Sequence, residues 1–348
     1  MSSSCIVPII TLKNFRPHTN ADSLGLADAL GYQVCVPLDS DGKFKYTEND
    51  LVVYFPADTL LSAEWSEKFG VTKLLGGKNH DRVKKVRLRG EPSFGLVVPL
   101  PEGLYAGEGD NIADFFGCTK FEPPIRPQAG DQAPYDSEID PHFQKYTDIE
   151  NGRLFLDVFT EDEEVYVSEK IHGSNLRIGI INGQVVAGSH SVRRTRPENV
   201  ENSTYWYPHS LLNVRAFLEQ HKNQNPIIYG EVFGGSIQSL HYGVQKGQGV
   251  GFRAFDIMLD GNYVGYNGFK SLCHVFEIKM VPELYVGPYS FQKVSELADG
   301  KSTMAEHIRE GVVVKPLVER VDAKVGRAVL KYIGTEYSLS KNSDFKDV

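Results

Sequence analysis

The chain has 348 residues, 41% of them hydrophobic and 24% charged, which is enough for one large globular domain or two of ordinary size. No stretch approaches the roughly 18 apolar residues of a membrane-spanning helix, and the amino terminus has neither a basic start nor a cleavage signal. Four cysteines without CxxC spacing argue against a zinc site or a disulfide framework. We therefore expect a soluble intracellular protein, cytoplasmic or nuclear, with reduced thiols.

The net charge of -8 argues against a uniformly basic surface for a polyanion, because phosphates are bound by Lys and Arg. The basic residues are nevertheless clustered. One cluster lies at residues 78–89 and the other at 193–196. Each cluster alone is equally well explained as a solvated surface.

Short apolar segments separated by turn signals precede residue 120 and predict a small all-β barrel. The predicted strands are 32–38, 51–55, 82–88 and 94–99. From residue 121 the composition changes to Pro, Gly and acid, as in an extended linker. We place the boundaries at 1–120 for the first domain, 121–142 for the linker and 143–348 for the second domain.

Strands and helices are mixed in the second domain, which predicts an α+β fold. The predicted strands are 165–169, 176–181, 184–187, 227–233, 252–259, 263–266, 311–315 and 327–333. The predicted helices are 211–221, 269–278 and 291–297. Asn182-Gly183 predicts a two-residue hairpin turn.

A lysine followed by His-Gly lies where the first strand of this domain ends. The segment EKIHGSN places Lys170 at the strand end, with His172 and Gly173 in the following turn. A lysine in a turn is usually only solvated, and K-x-[DH]-G alone occurs by chance in many proteins. Its meaning depends on the motifs that follow.

Five short motifs follow in order, each with groups that nucleotide transfer needs. A pair of arginines can bind ribose or phosphate in a bidentate manner, an aromatic ring can stack on a purine, and carboxylates and lysines complete the set. Each residue alone is more often an edge-strand charge or a core aromatic. The motifs are SVRRTR with Arg194, YGEVFG with Glu231, FRAFDI with Phe252 and Phe255, EGVVVKP with Glu310 and Lys315, and VLKY with Lys331.

This ordered set resembles the covalent nucleotidyltransferase superfamily of RNA ligases, DNA ligases and capping enzymes, and it is most similar to the RNA ligases. EKIHGSN resembles the nucleophile motif of the class typified by the second RNA ligase of phage T4, which has His where DNA ligases and capping enzymes usually have Asp. FQKYTDIEN, at 143–151, resembles the opening segment of that class. The resemblance covers residues 143–341 and implies an ATP-grasp-like domain of antiparallel sheets with flanking helices.

The resemblance implies an ATP-dependent RNA ligase in which Lys170 takes AMP from ATP and passes it to an RNA 5′-phosphate before a 3′-hydroxyl closes the break. Mg²⁺ or Mn²⁺ is the implied metal, held by Glu231 and Glu310. The implied catalytic residues are Lys170, His172, Asn175, Arg194, Glu310, Lys315 and Lys331. The implied ATP contacts are Glu169, Lys170, Gly173, Arg194, Glu231, Phe252 or Phe255, Lys315 and Lys331.

The first domain resembles OB-fold modules. Residues 18–39 are similar to the opening of OB-fold tRNA-binding modules, and residues 84–100 resemble the OB domain of RNA ligases of the Deinococcus and Naegleria type. That type seals 3′-OH/5′-phosphate nicks in duplexes. It implies an OB-fold β-barrel before the catalytic domain, a nicked RNA duplex as partner and a monomer. The implied phosphate contacts are Lys84, Lys85, Arg87 and Arg89.

Two departures from the phage type are expected. The C-terminal domain of the phage-type enzymes has no counterpart after the last motif. The phage-type motif also has a second lysine two positions after the first, where this chain has Ile333. Lys315, Lys324 and Arg327 are the candidates to replace it.

The chemistry sets a condition on Lys170. A free lysine is a neutral amine only about four times in ten thousand at pH 7. We therefore expect partial burial, Lys315, Lys331 and a divalent metal to lower its pKa.

Three alternatives share part of the pattern: a DNA ligase, a GTP-dependent capping guanylyltransferase, and a non-catalytic RNA-binding protein that keeps the fold. The His172 motif argues against the first two. The third is disfavoured by the joint presence of Lys170, Glu231, Glu310, Lys315 and Lys331.

Overall fold

The computed structural model describes residues 5–121, 135–136, 141–340 and 346–347, the two short pieces by their backbone alone. The chain divides into two compact units, Met1–Ile125 with Ser338–Val348, and Arg126–Tyr337. The predicted linker lies almost entirely outside the described residues. No helix in the described part is both long and apolar enough to cross a membrane.

Strands predominate, and the helices are short. Up to residue 121 the elements are β1 (Ile9–Thr11), β2 (Lys13–Pro17), β3 (Leu24–Ala29), β4 (Tyr32–Pro37), β5 (Leu51–Pro56), β6 (Thr59–Leu60), α1 (Ala63–Lys68), β7 (Val86–Leu88), β8 (Glu91–Ser93), β9 (Gly95–Pro99), α2 (Ala113–Phe116) and β10 (Thr119–Lys120). From residue 135 they are β11 (Tyr135–Asp136), β12 (Glu150–Asn151), β13 (Glu164–Lys170), β14 (Ser174–Ile181), β15 (Gln184–Ser189), β16 (Arg193–Arg194), α3 (Tyr207–Ser210), α4 (Leu212–Gln220), β17 (Ile227–Phe233), β18 (Gly251–Leu259), β19 (Asn262–Tyr263), α5 (Tyr266–Val275), β20 (Glu283–Pro288), α6 (Phe291–Ala298), β21 (Gly311–Pro316), β22 (Val321–Asp322), β23 (Gly326–Arg327), β24 (Leu330–Ile333), α7 (Thr335–Leu339) and β25 (Lys346–Asp347). Single-turn 3₁₀ helices cover Thr72–Leu74, Gly152–Leu154, Val200–Asn202 and Lys222–Gln224.

The first unit is a set of small sheets with buried apolar residues between them. The sheet orders are β1-β5-β9, β2-β3-β4, β10-β6 and β25-β7-β8. Val53 and Phe55 of β5 are fully buried and pack with Phe116 of α2. Among the described residues these sheets remain separate and do not close into one barrel.

The basic segment 82–88 was predicted to be one long strand, but only its end is a strand, β7. Its buried apolar residues are Val83 and Val86, three positions apart. Residues 83–85 belong to no strand, and Arg82 makes only isolated bridges, to Leu60 and Gly76. The longer strand prediction is therefore wrong.

Two mainly antiparallel sheets form most of the second unit, with β12 parallel to β24 at one edge of the smaller sheet. The larger has the order β11-β16-β15-β14-β17-β18-β19 and the smaller the order β12-β24-β21-β13-β20. β14 and β17 are almost fully buried, because α4 and α5 cover one face through Phe217 and Phe269. The coarse prediction of a mixed fold with antiparallel sheets and flanking helices is confirmed.

Local turn chemistry accounts for the hairpin β14–β15. Asn182 and Gly183 both have positive φ, 50° and 78°, the conformation that a two-residue turn of this kind requires. The hairpin prediction is confirmed.

Several boundaries differ from the predictions, and the strand predicted at 327–333 forms β23 and β24 instead. The strand predicted at 263–266 ends at Tyr263, and α5 begins at Tyr266, three residues before the predicted helix start, because Gly265 lies in the extended conformation just before it. β20 was not predicted. It is a largely exposed edge strand, so burial imposes no apolar alternation on its sequence.

Candidate active site

Lys170 lies where the chain passes from one sheet of the second unit to the other. It is the last residue of β13 in the smaller sheet, and residues 171–173 lead directly into β14 of the larger sheet. The turn is tight, since a Cβ on Gly173 would lie 2.2 Å from the carbonyl oxygen of Val232. Both sheets therefore border the space beside the lysine.

A cavity of about 190 Å³ opens beside Lys170. Tyr146 and Ile149, from the segment before β12, form part of its wall, although no motif predicted a role for either side chain. The predicted residues that line it are Glu169, Lys170, Asn175, Glu231, Phe255 and Lys315.

Lys170 is held by Glu310. Its Nζ donates a hydrogen bond to Glu310 Oε1 at 2.7 Å, while His172 Nδ1 lies 3.4 Å from Glu310 Oε2. Burial alone would raise the pKa of Glu310, but the ammonium of Lys170 and the imidazole of His172 lower it below its usual range. The carboxylate is therefore ionised beside the lysine.

The electrostatics of Lys170 differ from the expectation. Burial acts to lower its pKa, but the carboxylates of Glu310 and Glu231 outweigh it, and the pKa is raised. The expected lowering of this pKa by Lys315, Lys331 and a bound divalent metal stays a prediction. Lys170 is a protonated, hydrogen-bonded group here, and it must lose its proton when substrate is bound.

Glu231 is a second carboxylate without a cationic hydrogen-bond partner. It lies opposite Asn175 in the pairing of β14 with β17. Burial raises the pKa of Glu231 to about 8; the charge of Lys170 opposes this shift and that of Glu310 adds to it. The side chain is therefore largely protonated at neutral pH.

The pair Glu231 and Glu310 fits a divalent cation. Glu310 Oε2 is buried without a hydrogen-bond partner, so one oxygen remains available as a ligand. Among the described residues no group of three or more His, Cys, Asp or Glu side chains could hold a metal. Mg²⁺ characteristically uses one or two carboxylates and completes its shell with water and substrate phosphates, which agrees with a two-carboxylate site.

The raised pKa of Glu231 predicts a pH-dependent stability. Its value in the unfolded chain is near 4.5 and in the folded protein about 8, so the folded state binds this proton more tightly and stability is lost as pH rises from the first value through the second. In EDTA, the Glu231→Gln variant should have a higher melting temperature than the wild type, and this margin in melting temperature should grow from pH 6 to pH 9. Each kcal/mol corresponds to about 2–4 °C.

Differential scanning fluorimetry measures this margin. Glu306→Gln is the matched control, because Glu306 is 98% exposed and its replacement should give no pH-dependent margin. A Glu231→Gln margin that is constant across this pH range would show that Glu231 is not held protonated.

A β-bulge separates the two candidate phenylalanines. Gly230 pairs with Ala254 and Tyr229 with Asp256, which leaves Phe255 as the extra residue. Such a residue re-aims the neighbouring side chains. Phe255 lines the Lys170 cavity, whereas Phe252 packs on the helix-covered face. Of the two alternatives for the purine partner, the geometry favours Phe255.

Asn175 adds a free acceptor to the cavity wall. Its Oδ1 is buried and has no hydrogen-bond partner among the described residues. An unsatisfied buried acceptor costs about 1–3 kcal/mol, which a donor on a bound substrate would recover.

Lys315 lines the cavity but is already paired. Its Nζ lies 2.7 Å from Asp256 Oδ2 and donates to the Phe255 carbonyl at 2.8 Å. Arg327 and the Tyr146 hydroxyl also donate to Asp256 Oδ2, at 2.7 and 2.8 Å. Burial, against the pull of Asp256, lowers the pKa of Lys315. The sequence motifs did not predict this network, although FQKY contains Tyr146 and FRAFDI contains Asp256.

The remaining predicted lysine lies on the neighbouring strand. Lys331 pairs with Val313 across β24 and β21. Directly opposed residues project from the same face of a sheet, and Val313 lines the cavity. Lys331 therefore lies on the cavity side, and Ile333, opposite Gly311, leaves the position of the second lysine apolar.

Glu169, in the wall of the Lys170 cavity, and Arg194, on β16, both contact neighbouring protein groups. The guanidinium of Arg194 lies 4.8 Å from the centre of the Tyr205 ring. Glu169 accepts hydrogen bonds from Ser302 Oγ at 2.5 Å and from Thr303 N and Oγ1 at 2.9 and 2.8 Å. Glu169 thus positions the 302–303 segment, and its contact with a nucleotide stays a prediction.

The basic side chains of the first unit surround β7. Lys85 Nζ lies 3.4 Å from Ser338 Oγ, and Arg87 donates to the Gly90 carbonyl at 3.2 Å. Lys84 packs over Gly76, and Arg89 is exposed in a turn with positive φ. A phosphate-binding role for the four stays a prediction.

Comparisons with known proteins agree with this geometry. Residues 163–333 match the family model of RNA ligases, and no curated protein matches the sequence. The fold is similar to an RNA ligase of Naegleria gruberi solved with PPi, with a TM-score of 0.72, 22% identity, and coverage of 96% of this chain and 98% of that chain. A mutant of that ligase with ATP and Mn has a TM-score of 0.71 and 22% identity, with 96% of this chain and 98% of that chain covered. A mutant with AMP and Mn has a TM-score of 0.71 and 22% identity, with 95% of this chain and 97% of that chain covered. Residues 163–333, just under half of the chain, thus match the RNA ligase family.

Proposed function

We propose that this protein joins RNA 3′-hydroxyl and 5′-phosphate ends through an AMP group carried on Lys170. The observation that carries the proposal is the pair of carboxylates around one lysine at the mouth of a cavity between two sheets, in a chain whose residues 163–333 match the RNA ligase family. Naegleria gruberi RNA ligase, which has a similar fold, has been solved with ATP, AMP and PPi, and this supports ATP as the nucleotide.

In the first step Lys170 Nζ attacks the α-phosphorus of ATP. The N–P bond forms as the bond to the bridging oxygen breaks, and pyrophosphate leaves past His172. The hydrogen bond to Glu310 provides the path for the lysine proton. A divalent metal at Glu231 and Glu310 would supply positive charge that disfavours the ammonium form and stabilises charge on the phosphates.

The chain's own residues position the nucleotide. Phe255 is the stacking partner for the purine, and Asn175 Oδ1 offers an acceptor to a donor on the substrate. Arg194 and Glu231 are proposed at the ribose. Lys315 and Lys331 are proposed at the α-phosphate, where Lys315 must share its charge with Asp256.

Two further transfers complete ligation. An oxygen of the RNA 5′-phosphate attacks the lysyl-AMP phosphorus, which frees Lys170 and forms a 5′–5′ anhydride. The 3′-hydroxyl then attacks the RNA phosphorus and expels AMP. Asn175 and Arg194 are proposed to orient this last step.

The wild-type protein, incubated with a nicked RNA duplex bearing a 5′-phosphate, Mg²⁺ and ATP, should give the joined strand and AMP. GTP should not replace ATP, and a duplex without the 5′-phosphate should not be sealed. Joining with GTP alone would favour guanylyl transfer, and joining of DNA nicks in preference to RNA nicks would favour a DNA ligase.

For the first unit we propose an OB-type module, residues 1–120, that binds the duplex phosphates around a nick, before a catalytic domain from residue 143. Its antiparallel strands and the basic side chains around β7 support this. We also propose that the protein acts as a monomer inside the cell, in the cytoplasm or nucleus, where ATP and Mg²⁺ are available.

Replacing Lys84, Lys85, Arg87 and Arg89 together with Ala should weaken binding of a nicked duplex and flatten its salt dependence. Each lost phosphate contact lowers the slope of log affinity against log salt by about 0.9 for B-DNA, and A-form RNA should respond similarly. Lysyl-AMP formation should stay near normal, because the motifs for ATP lie after residue 143. Fluorescence anisotropy over a salt series measures both effects.

The matched control replaces Lys43 and Lys45, which are exposed in the same unit, with Ala. This variant should bind the duplex nearly as the wild type does. If the four-residue variant also kept the wild-type affinity and slope, the basic strand would have no role in RNA binding.

A further inference from the structure

A second, larger cavity lies in the catalytic unit. Its volume is about 590 Å³, three times that of the cavity beside Lys170. Its walls come from α3, the start of α4, the facing ends of β17 and β18, and the 303–304 segment. None of the roles assigned so far uses it.

The charge of this cavity is of one sign. Arg253 and Lys279 line it, and no carboxylate does. In the described part of the chain Arg253 forms no ion pair, and its hydrogen bond to the Met280 carbonyl is long, at 3.4 Å. Because no carboxylate offsets the effect of burial, burial lowers the pKa of the Arg253 guanidinium. A half-buried guanidinium without a counter-charge favours an anion, and its planar donors suit phosphate.

The rest of the lining suits a nucleobase. Tyr207 is partly exposed on the wall, Phe252 and Val214 are buried beneath it, and Asn213 adds an amide. Aromatic rings beside cations are the combination that binds single-stranded nucleic acid, because bases stack on the ring while phosphates meet the charge.

The cavity adjoins the nucleophile turn. Phe233, in its wall, follows Val232, which pairs with Ser174. Two other wall residues bond to the neighbours of Lys170: Tyr242 accepts a hydrogen bond from His172 N at 2.7 Å, and Thr303 donates to Glu169.

We propose that this second cavity binds a nucleotide of the RNA substrate close to the reacting end, with the base against Tyr207 and the phosphate against Arg253 and Lys279. The proposal rests on the proposed ligase function and adds to it a site for RNA that is separate from the cavity for ATP. Occupancy of this site holds the RNA end beside Lys170.

The test measures binding of a 5′-phosphorylated single-stranded RNA to the full chain by fluorescence anisotropy over a salt series. Arg253→Ala should weaken binding about ten-fold and Lys279→Ala about three-fold, since the first loses a charged hydrogen bond and the second an exposed charge. Each should lower the salt slope by about 0.7, the value for single strands. Arg253→Lys should recover part of the affinity.

Lys222→Ala is the matched control, because Lys222 is an exposed lysine of the same unit that does not line the cavity. It should bind RNA as the wild type does. Lys279 is itself exposed, so Lys279→Ala and Lys279→Glu decide the question if Arg253→Ala does not fold. All these variants should form lysyl-AMP from ATP at the wild-type rate.

Wild-type RNA affinity and salt slope in both Arg253→Ala and Lys279→Ala would overturn the proposal. Residue-dependent binding of AMP or pyrophosphate alone, with RNA binding unchanged, would assign the cavity to a free nucleotide instead. Failure of the wild type to form lysyl-AMP, with RNA binding still dependent on Arg253, would remove the ligase function but not the RNA site.

Discussion

Lys170→Ala should abolish attachment of AMP to the protein while the variant still closes an RNA that already carries the 5′-adenylate. Only the first two steps involve the lysine, first as the nucleophile and then as the leaving group, and the last step uses the RNA 3′-hydroxyl. Lys170→Arg should behave in the same way, because a guanidinium stays protonated and cannot attack phosphorus. Label transfer from ATP and closure of preadenylated RNA, measured on the same preparations, separate the two activities.

The control for Lys170→Ala is Lys222→Ala, which should form the adduct normally. A covalent AMP adduct on either Lys170 variant would show that another residue is the nucleophile. Loss of closure on preadenylated RNA would mean that Lys170 also acts in the last step.

Glu310→Ala should slow lysyl-AMP formation by roughly 2–4 kcal/mol, about 30- to 1,000-fold, if its contacts act in the transition state. Glu310 accepts a hydrogen bond from Lys170 Nζ at 2.7 Å, lies 3.4 Å from His172 Nδ1, and offers a buried oxygen to a metal. Glu310→Gln keeps the shape but loses the charge, so it should be nearly as slow. Single-turnover label transfer at limiting Mg²⁺ measures the effect.

Glu306→Ala is the matched control, because Glu306 belongs to the same segment and is 98% exposed. It should be adenylylated at the wild-type rate. A Glu310→Ala protein that is adenylylated at full rate under limiting Mg²⁺ would remove this carboxylate from the chemistry.

Local sequence signals predicted most of the second unit. Asn182-Gly183 fixed a hairpin, and the buried apolar runs of β14 and β17 marked central strands, because burial on both faces leaves a continuous hydrophobic segment. The edge strand β20 and the break in the basic segment before β7 escaped prediction. Exposure removes the apolar period in β20, and the segment before β7 makes only isolated bridges at Arg82.

The sequence predicted which residues form the site, but it did not predict their ion pairs or the direction of their pKa shifts. Lys170, Glu231 and Lys315 come from three strands, with Glu310 just before the strand of Lys315, and the ordered motifs identified all four. The ion pair of Lys315 with Asp256 depends on the β-bulge at Phe255, which no local sequence pattern predicts. The raised pKa of Lys170 likewise depends on which carboxylate lies nearest after folding.

The most direct test of the account is incubation of the purified protein with α-labelled ATP and Mg²⁺, followed by denaturation and peptide mapping. The label should survive denaturation and lie on the peptide that contains Lys170. It should be released as AMP when RNA with a 5′-phosphate is added. A polypeptide that stays unlabelled, or label on a peptide without Lys170, would contradict the account.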